Sequence, residues 1–311
     1  MISLVQLEYI VAVDRYRHFV TASQKCFVTQ PTLSMQIKKM EVELGVLIFD
    51  RTKQPLTPTE IGEKIIDQAR ITLAQSKKIT EVVANYNDTV SGKITIGIIP
   101  SLAPYLLPLF IRKFTKKYPE VSVTVIELLT NEIIEGLKKD SIDVGILVTP
   151  LHEKGIKEDC LFYEKMLIYI NKSHPLALKK EIQSKDLVNS DLWLLSTGHC
   201  FRSQVMNLCN YKDNTLKNQD FNYESGSLET IKKLVALEGG FTLIPELAVD
   251  GHNNNTIVRD FNDTNPIREV SFAYSHNYFK KKLLDLLSQE IKNAVPQEML
   301  EKNRGQIVEW R

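Results

Sequence analysis

Apolar positions in the first sixty residues recur at helical spacing. Leu4, Leu7, Ile10 and Val11 mark a first helix, and Phe19, Val20 and Ala22 open a second ahead of Cys26 and Phe27. A third starts at Thr29, a good N-cap, with Pro31 tolerated in the first turn. It carries Leu33, Ile37, Met40 and Leu44 on one stripe and stops at Gly45. Two short helices joined by a tight turn, the second rich in small polar residues at its front, predict a helix-turn-helix. Val46–Phe49 and Asp50–Leu56 then read as strand, turn and strand, a candidate wing. Thr57-Pro58-Thr59-Glu60 reads as a capping box with proline in the first helical position. The helix it opens has no Gly or Pro from Glu63 to Val90, and Ile61, Ile65, Ala69, Leu73, Ile79 and Val83 track one face. So long a stripe needs cover, either from a second copy in a coiled coil or from its own domain.

Beyond Ser91-Gly92 the period changes. Strand-like runs at 94–99, 121–126, 144–148, 166–170, 192–195 and 241–244 alternate with helical stretches at 105–118, 131–139 and 228–238. That alternation predicts an α/β body built on a largely parallel sheet. The chain divides into a head over 1–60, a linker helix over 61–90 and a body over 91–311.

Composition changes this picture little. In 311 residues, 43% are hydrophobic and 25% charged, which are globular proportions. Thirty-nine basic against 38 acidic side chains leave a net charge of +1, so no overall basic excess draws the chain to nucleic acid. Charges at Glu8, Asp14, Arg15 and Arg17 interrupt any signal-peptide core, and no apolar run approaches a membrane span. Four cysteines are too few for a disulfide scaffold. The expectation is a cytoplasmic protein with no membrane partner and no cofactor.

The third helix carries the first chemical signal. Gln30, Thr32, Ser34 and Gln36 lie near its front, and such side chains can donate to and accept from base edges in a major groove. Lys38, Lys39, Arg51 and Lys53 could hold phosphates. An ordinary amphipathic helix with a solvated polar face fits the composition equally, since residues 1–60 hold 7 basic and 6 acidic side chains.

The order of Phe19-Val20-Thr21-Ala22-Ser23, Thr29-Gln30-Pro31-Thr32-Leu33-Ser34, Leu44-Gly45, Phe49-Asp50-Arg51 and Leu56-Thr57-Pro58-Thr59-Glu60-Ile61-Gly62 is more specific. From Leu7 through Gly62 the chain resembles the winged helix-turn-helix of LysR-type transcriptional regulators. The resemblance implies promoter DNA as a partner and a two-subdomain effector region like the periplasmic binding proteins. Subdomain I would span about 91–163 and 268–300, and subdomain II about 164–267. It also implies dimers that pair into tetramers, with RNA polymerase a further candidate partner.

The body carries the second signal, Thr197-Gly198-His199-Cys200-Phe201-Arg202-Ser203-Gln204 followed by Cys209. With Ile99–Pro108 and Ser227-Leu228-Glu229-Thr230, it resembles the peroxide-sensing branch of that family. The resemblance implies Cys200 as peroxidatic and Cys209 as resolving cysteine, with Ser101 (usually threonine), Thr130, His199 and Arg202 around the peroxide. A cellular disulfide reductant would reset the switch. Two departures stand out: Ser203 replaces an aspartate, and an arginine of the C-terminal strand is replaced at Ser275, with Arg268 nearby.

The chemistry can also be argued from the residues. A thiolate is the nucleophile, and flanking His199 and Arg202 could lower the pKa of Cys200 and make it thiolate-rich. Sulfenic acid formed on a peroxide condenses with a second thiol within reach. If residues 201–209 are helical, the two Cα atoms lie about 13 Å apart, whereas a disulfide needs about 4.4–6.8 Å. Forming it therefore requires local refolding. The alternatives are two small buried apolar cysteines, or a zinc site at His199, Cys200 and Cys209, whose spacing is poor and which lacks a fourth ligand. At the level of the whole protein, the rivals are a regulator gated by a small organic ligand and a thiol peroxidase with a DNA-binding head. The reading favoured is a regulator rather than an enzyme, with no metal. Cys26 reads as structural, and Cys160 receives no role. His18, His152, His174, His252 and His276 show no ligand spacing.

Overall fold

A computed structural model describes residues 1–86, 90–187, 191–209, 225–249, 254–276, 278 and 280–310. The side chain of Val83 and all of His252 fall outside the described residues. Two compact units divide the chain, one built on Met1–Thr89 and the other on Val90–His276 with Lys282–Arg311.

In the first unit, α1 (Leu4–Tyr16), α2 (Phe19–Lys25) and α3 (Gln30–Leu44) surround a core of Ile10, Val13, Ala22, Leu33, Ile37 and Met40. The caps fall where the sequence asks for them. Thr29 accepts from the Thr32 amide, and Gly45 closes α3 in the left-handed conformation at φ 67°. The wing is shorter than expected, a pairing of β1 (Phe49–Asp50) with β2 (Thr57–Pro58). Pro58 therefore sits in a strand, and Thr59 caps the following helix by accepting from the Gly62 amide at 3.0 Å. That helix, α4, runs from Glu60 to Tyr86.

Its apolar stripe has two fates. Ile66 and Ala69 are buried in the head's own core, whereas Ile61 and Ile79 are exposed. The buried Asp14 carboxylate fastens α4 to α1, accepting from Arg70 at 2.5 Å. Gly62 is required by close approach, because a Cβ there would lie 2.0 Å from the Ile48 carbonyl oxygen.

In the second unit, β3 (Gly92–Ile98), α5 (Ala103–Lys117), β4 (Val121–Glu127), α6 (Thr130–Lys138) and β5 (Val144–Thr149) follow the expected alternation. Two long strands then dominate, β6 (Ile156–Asn171) and β9 (Pro266–Ser275). Between them lie α7 (Cys200–Leu208), α8 (Leu228–Glu238), β7 (Phe241–Pro245) and β8 (Thr256–Arg259). After them come α9 (Lys281–Ala294) and β10 (Gln306–Ile307). The sheet order is β4-β3-β5-β9-β6-β7, with β8 on β6 and β10 on β9.

The expected largely parallel sheet is corrected to a mixed one. β3 pairs parallel with β4 and β5, but β9 pairs antiparallel with β5 and β6, and β6 antiparallel with β7 and β8. Leu192–Leu195 contributes isolated bridges to Phe241 and Ser225 rather than a strand. β6 links two parts of this sheet, pairing over 156–165 with β9 and over 166–171 with β7 and β8. A second apolar core, including Ile168, Leu187, Phe201, Val205, Cys209, Ile231 and Leu243, fills the half around β6, β7, α7 and α8.

Gly62→Ala should strain the junction between wing and α4. Overpacking of a fitted core costs about 1–3 kcal/mol, so urea unfolding of the head should shift to lower denaturant; an unchanged midpoint would contradict the close approach.

Candidate thiol site and nucleic-acid interface

On the head, α3 offers a mixed surface. Gln30, Pro31, Met35, Lys38 and Lys39 are exposed, while Thr32, Ser34 and Gln36 are half-covered. Thr32 shares a 2.8 Å hydrogen bond with the Thr29 hydroxyl, and the Gln36 side chain accepts from Gln6 Nε2 at 3.3 Å. Those two side chains are thus partly engaged inside the head. Arg51 is also tied down, pairing with Glu41 at 2.9 Å and lying 5.4 Å over the Phe19 ring. Lys53 is exposed, 3.8 Å from Asp50.

The residue missed in the sequence is Glu41. Its buried carboxylate accepts from the Ile48 amide at 2.9 Å and the Phe49 amide at 3.3 Å as well as from Arg51. It anchors the wing to α3. A lone acidic residue in a helical stripe gives no sequence signal of this, since its partners lie seven to ten residues away.

The thiol site sits in the second unit. Gly198, at φ 94°, turns the chain into α7 in a conformation that favours glycine. His199 is the N-cap, though its side chain caps nothing, and Cys200 is the first helical residue. Thr130 is likewise the first residue of α6. Its hydroxyl lies against the Cys200 sulfur, where it favours the thiolate. It forms no well-made hydrogen bond to the sulfur or to any other described group, although it is fully buried. Two helix N-termini therefore meet at the sulfur, an arrangement that favours negative charge.

The cation of the site is Arg268, on β9. It is wholly buried, as is its partner Glu164 on β6, with Nε donating to Glu164 Oε2 at 2.9 Å and Nη2 2.8 Å from the same oxygen. Nη1 donates to Ser101 Oγ at 2.9 Å and Nη2 to the Ser101 carbonyl at 3.2 Å. The guanidinium lies 5.2 Å over the Phe201 ring, next in sequence to Cys200.

Two expectations need correction. Arg202 does not supply the charge: its Nη1 donates to the Leu195 carbonyl at 2.9 Å, and the cation that acts on the Cys200 thiol is Arg268. Ser275 does not stand where a pocket arginine would, since it pairs with Ile156 at the opposite end of β9. At about 3.3 Å per residue, seven residues place it more than 20 Å along the strand from Arg268.

Electrostatics also differ from expectation. Burial pushes the Cys200 thiol up, against the opposing pull of Thr130, Arg268 and the helix amides. Burial pushes His199 down, so its imidazole is neutral near pH 7 and adds no charge. Cys209, the C-cap of α7, lies in the apolar core and is pushed up to about 12. The reduced site therefore holds protonated thiols rather than the thiolate-rich Cys200 inferred from its neighbours.

α7 also separates them. Nine residues along a helix amount to about 13 Å of rise and about two and a half turns, which puts Cys200 and Cys209 on opposite faces. Cys26 and Cys160 are half-buried, and burial raises both. Among the described residues, no three His, Cys, Asp or Glu side chains are grouped to hold a metal. Among the same residues, no helix is long and apolar enough to cross a membrane.

The thiol environments give a direct expectation. A thiol titrating near 12 carries roughly a thousandth of the thiolate of a free cysteine at pH 8. Iodoacetamide should therefore label Cys209 slower than free cysteine by about that factor in the folded protein, and at the free rate in urea. Fast labelling of the folded protein would contradict its burial.

Comparisons with known proteins agree with both units. The helix-turn-helix domain of bacterial regulatory proteins of the lysR family matches residues 4–63, and the LysR substrate binding domain matches residues 87–296. The DNA-binding transcriptional dual regulator OxyR of Escherichia coli K12 is 37% identical over 78% of this chain and 79% of its own length. The hydrogen peroxide-inducible genes activator of Haemophilus influenzae is 35% identical over 78% of this chain and 80% of that protein. Among solved structures, a full-length cysteine-to-aspartate variant of OxyR from Pseudomonas aeruginosa matches with TM-score 0.79 and 32% identity, over 95% of this chain and 99% of that one. A hydrogen-peroxide-bound cysteine-to-serine mutant of Corynebacterium glutamicum OxyR matches at TM-score 0.62 and 27% identity, over 96% and 94%. The chain belongs to the LysR family of bacterial helix-turn-helix regulators, among its OxyR-like members.

Proposed function

We propose that this regulator switches promoter output in response to hydrogen peroxide through Cys200. The observation that carries the reading is the buried polar corner around that thiol. There the ends of two helices, the Arg268–Ser101 pair and the unsatisfied Thr130 hydroxyl converge. A buried hydroxyl without a partner is costly, by about 1–3 kcal/mol, and a small molecule rich in hydrogen-bonding oxygen would satisfy it.

The chemistry is balanced without a cofactor. The sulfur attacks one peroxide oxygen and the O–O bond breaks. The thiol proton joins the departing hydroxide, so thiol plus peroxide gives sulfenic acid plus water. Thr130 donates to the departing oxygen, while Ser101, with Arg268 donating to its oxygen, is free to turn its own proton toward the peroxide. His199, neutral, is a hydrogen-bonding wall rather than a charge.

Cys209 then displaces hydroxide from the sulfenic sulfur, giving a disulfide and a second water. That bond cannot form on an intact α7, so the helix unwinds. Unwinding breaks the hydrogen bonds from Gln204 to the Val308 carbonyl at 2.6 Å and from Asn207 to the Glu309 carbonyl at 3.0 Å. It also draws Phe201, Val205 and Cys209 from the core. The free energy to do this comes from reducing peroxide, and the changed packing of the body is the signal.

In this reading residues 1–60 bind promoter DNA, 61–90 carry a dimer contact and 91–311 sense. Gln30 and Ser34 read bases, with Thr32 and Gln36 contributing once freed from their present partners. Lys38, Lys39 and Lys53 hold phosphates, and Arg51 supports the wing. The exposed Ile79 is the part of the α4 stripe left for a second copy, and dimers pair into tetramers. RNA polymerase and a disulfide reductant complete the partners.

Cys200→Ser should abolish peroxide-dependent change in the DNA footprint while leaving reduced-form binding intact; a normal response would sink the assignment. Cys209→Ser should accumulate a sulfenic acid, trapped by dimedone on Cys200, with no intramolecular disulfide. Absence of that adduct would remove the resolving role.

A further inference from the structure

The Glu164–Arg268 pair is larger than its structural task requires. A fully buried ion pair is commonly no more stabilising than apolar side chains of the same volume, because both charges lose their hydration. Here, moreover, the guanidinium reaches beyond its carboxylate to Ser101 and Phe201, at the edge of the thiol site. Glu164 and Arg268 are directly opposite in the β6–β9 ladder, so the backbone fixes their separation. The carboxylate's other oxygen accepts from the Leu247 amide at 2.8 Å, which fixes the carboxylate plane. The carboxylate is thus held from two sides and positions the arginine like a clamp.

We propose that Glu164 is a positioning residue of the thiol site, which aims the Arg268 guanidinium at Ser101 and neutralises part of its charge, thereby setting the reactivity of Cys200. The proposal rests on the reading of Cys200 as the redox-active thiol. Its physical basis is Coulombic. Without Glu164 the sulfur would face an uncompensated cation in a low-dielectric pocket, where a unit charge acts far more strongly than in water. With Glu164 present it faces the positive end of a neutral pair. The arginine then orders the pocket's hydrogen bonds without making the thiol a permanent thiolate that any oxidant or electrophile could consume.

The other groups around the sulfur do not duplicate this role. From α7's own N-terminus comes His199, neutral by burial; from α6 comes Thr130; from the turn before α5 comes Ser101. From β9 comes Arg268, and from β6 Glu164. Behind Glu164 lies Glu246, whose two carboxylate oxygens are occupied by Arg304 at 2.7 and 2.8 Å. Glu164 is accordingly the carboxylate bonded to the site's cation.

The test is the pH titration of the Cys200 thiolate in the full-length reduced protein. It is read by ultraviolet absorbance near 240 nm as the difference from the matching Cys200→Ser protein. Glu164→Gln keeps shape and an acceptor but removes the charge. The titration midpoint should move to lower pH by about one unit, a ten-fold gain in thiolate at neutral pH. Glu164→Asp keeps the charge but withdraws it by one methylene, and should move the midpoint the same way by a smaller step, two- to three-fold. The aspartate variant alone decides should the glutamine variant not fold. A midpoint that stays at the wild-type value in the folded variants, or rises, overturns the proposal, as a purely structural carboxylate would change stability and not titration. Because no peroxide enters this measurement, its failure is separate from failure of the peroxide reading, which the Cys200→Ser footprint decides.

Discussion

Everything around the thiol depends on one guanidinium. Arg268 has no contact with water and four partners drawn from distant parts of the chain: Glu164, both the hydroxyl and the carbonyl of Ser101, and the face of Phe201. Each contact fixes an element of the site. Ser101 precedes α5, Phe201 is the second residue of α7, and Glu164 belongs to the strand opposite. Truncating such a group would leave a buried carboxylate uncompensated, which is why charge pairs of this kind are intolerant of one-sided change even when the intact pair adds little net stability.

The same geometry sets opposing influences on the thiol. Burial holds Cys200 protonated, while two helix N-termini and Arg268 pull the other way. Burial is the larger influence, so the net shift is upward and Cys200 rests as a thiol. Cys209 has no such opposing groups, and its burial among apolar side chains pushes its thiol up.

Much of this was legible in the sequence where interactions are local. The caps Thr29 and Gly45, the apolar stripe of α3 and the helix through 201–208 follow from neighbours within a turn or two. The motif around Cys200 points to that thiol as the candidate. What the sequence hid was long-range. β9 reads PIREVSFAYS, with an arginine and a serine at buried positions, because Arg268 meets Glu164 and Ser271 meets Thr149 across the sheet. Nothing within ten residues announces those partners, so the strand looks half-polar. For the same reason the sequence points to Arg202, two residues from the thiol, and not to an arginine on a strand 68 positions away. Sequence proximity also misjudged His199, whose burial removes the charge its position suggested.

A covalent bond between Cys200 and Cys209 is incompatible with α7 as folded, since nine residues of helix put them about 13 Å apart. Peptide mass mapping of the reduced full-length protein after near-stoichiometric hydrogen peroxide, combined with hydrogen exchange over residues 200–209, tests it most directly. The expected result is rapid and selective Cys200–Cys209 linkage, with amide protection across α7 lost in the linked form. Linkage with α7 still protected, or thiols left unmodified except at large peroxide excess, would contradict it.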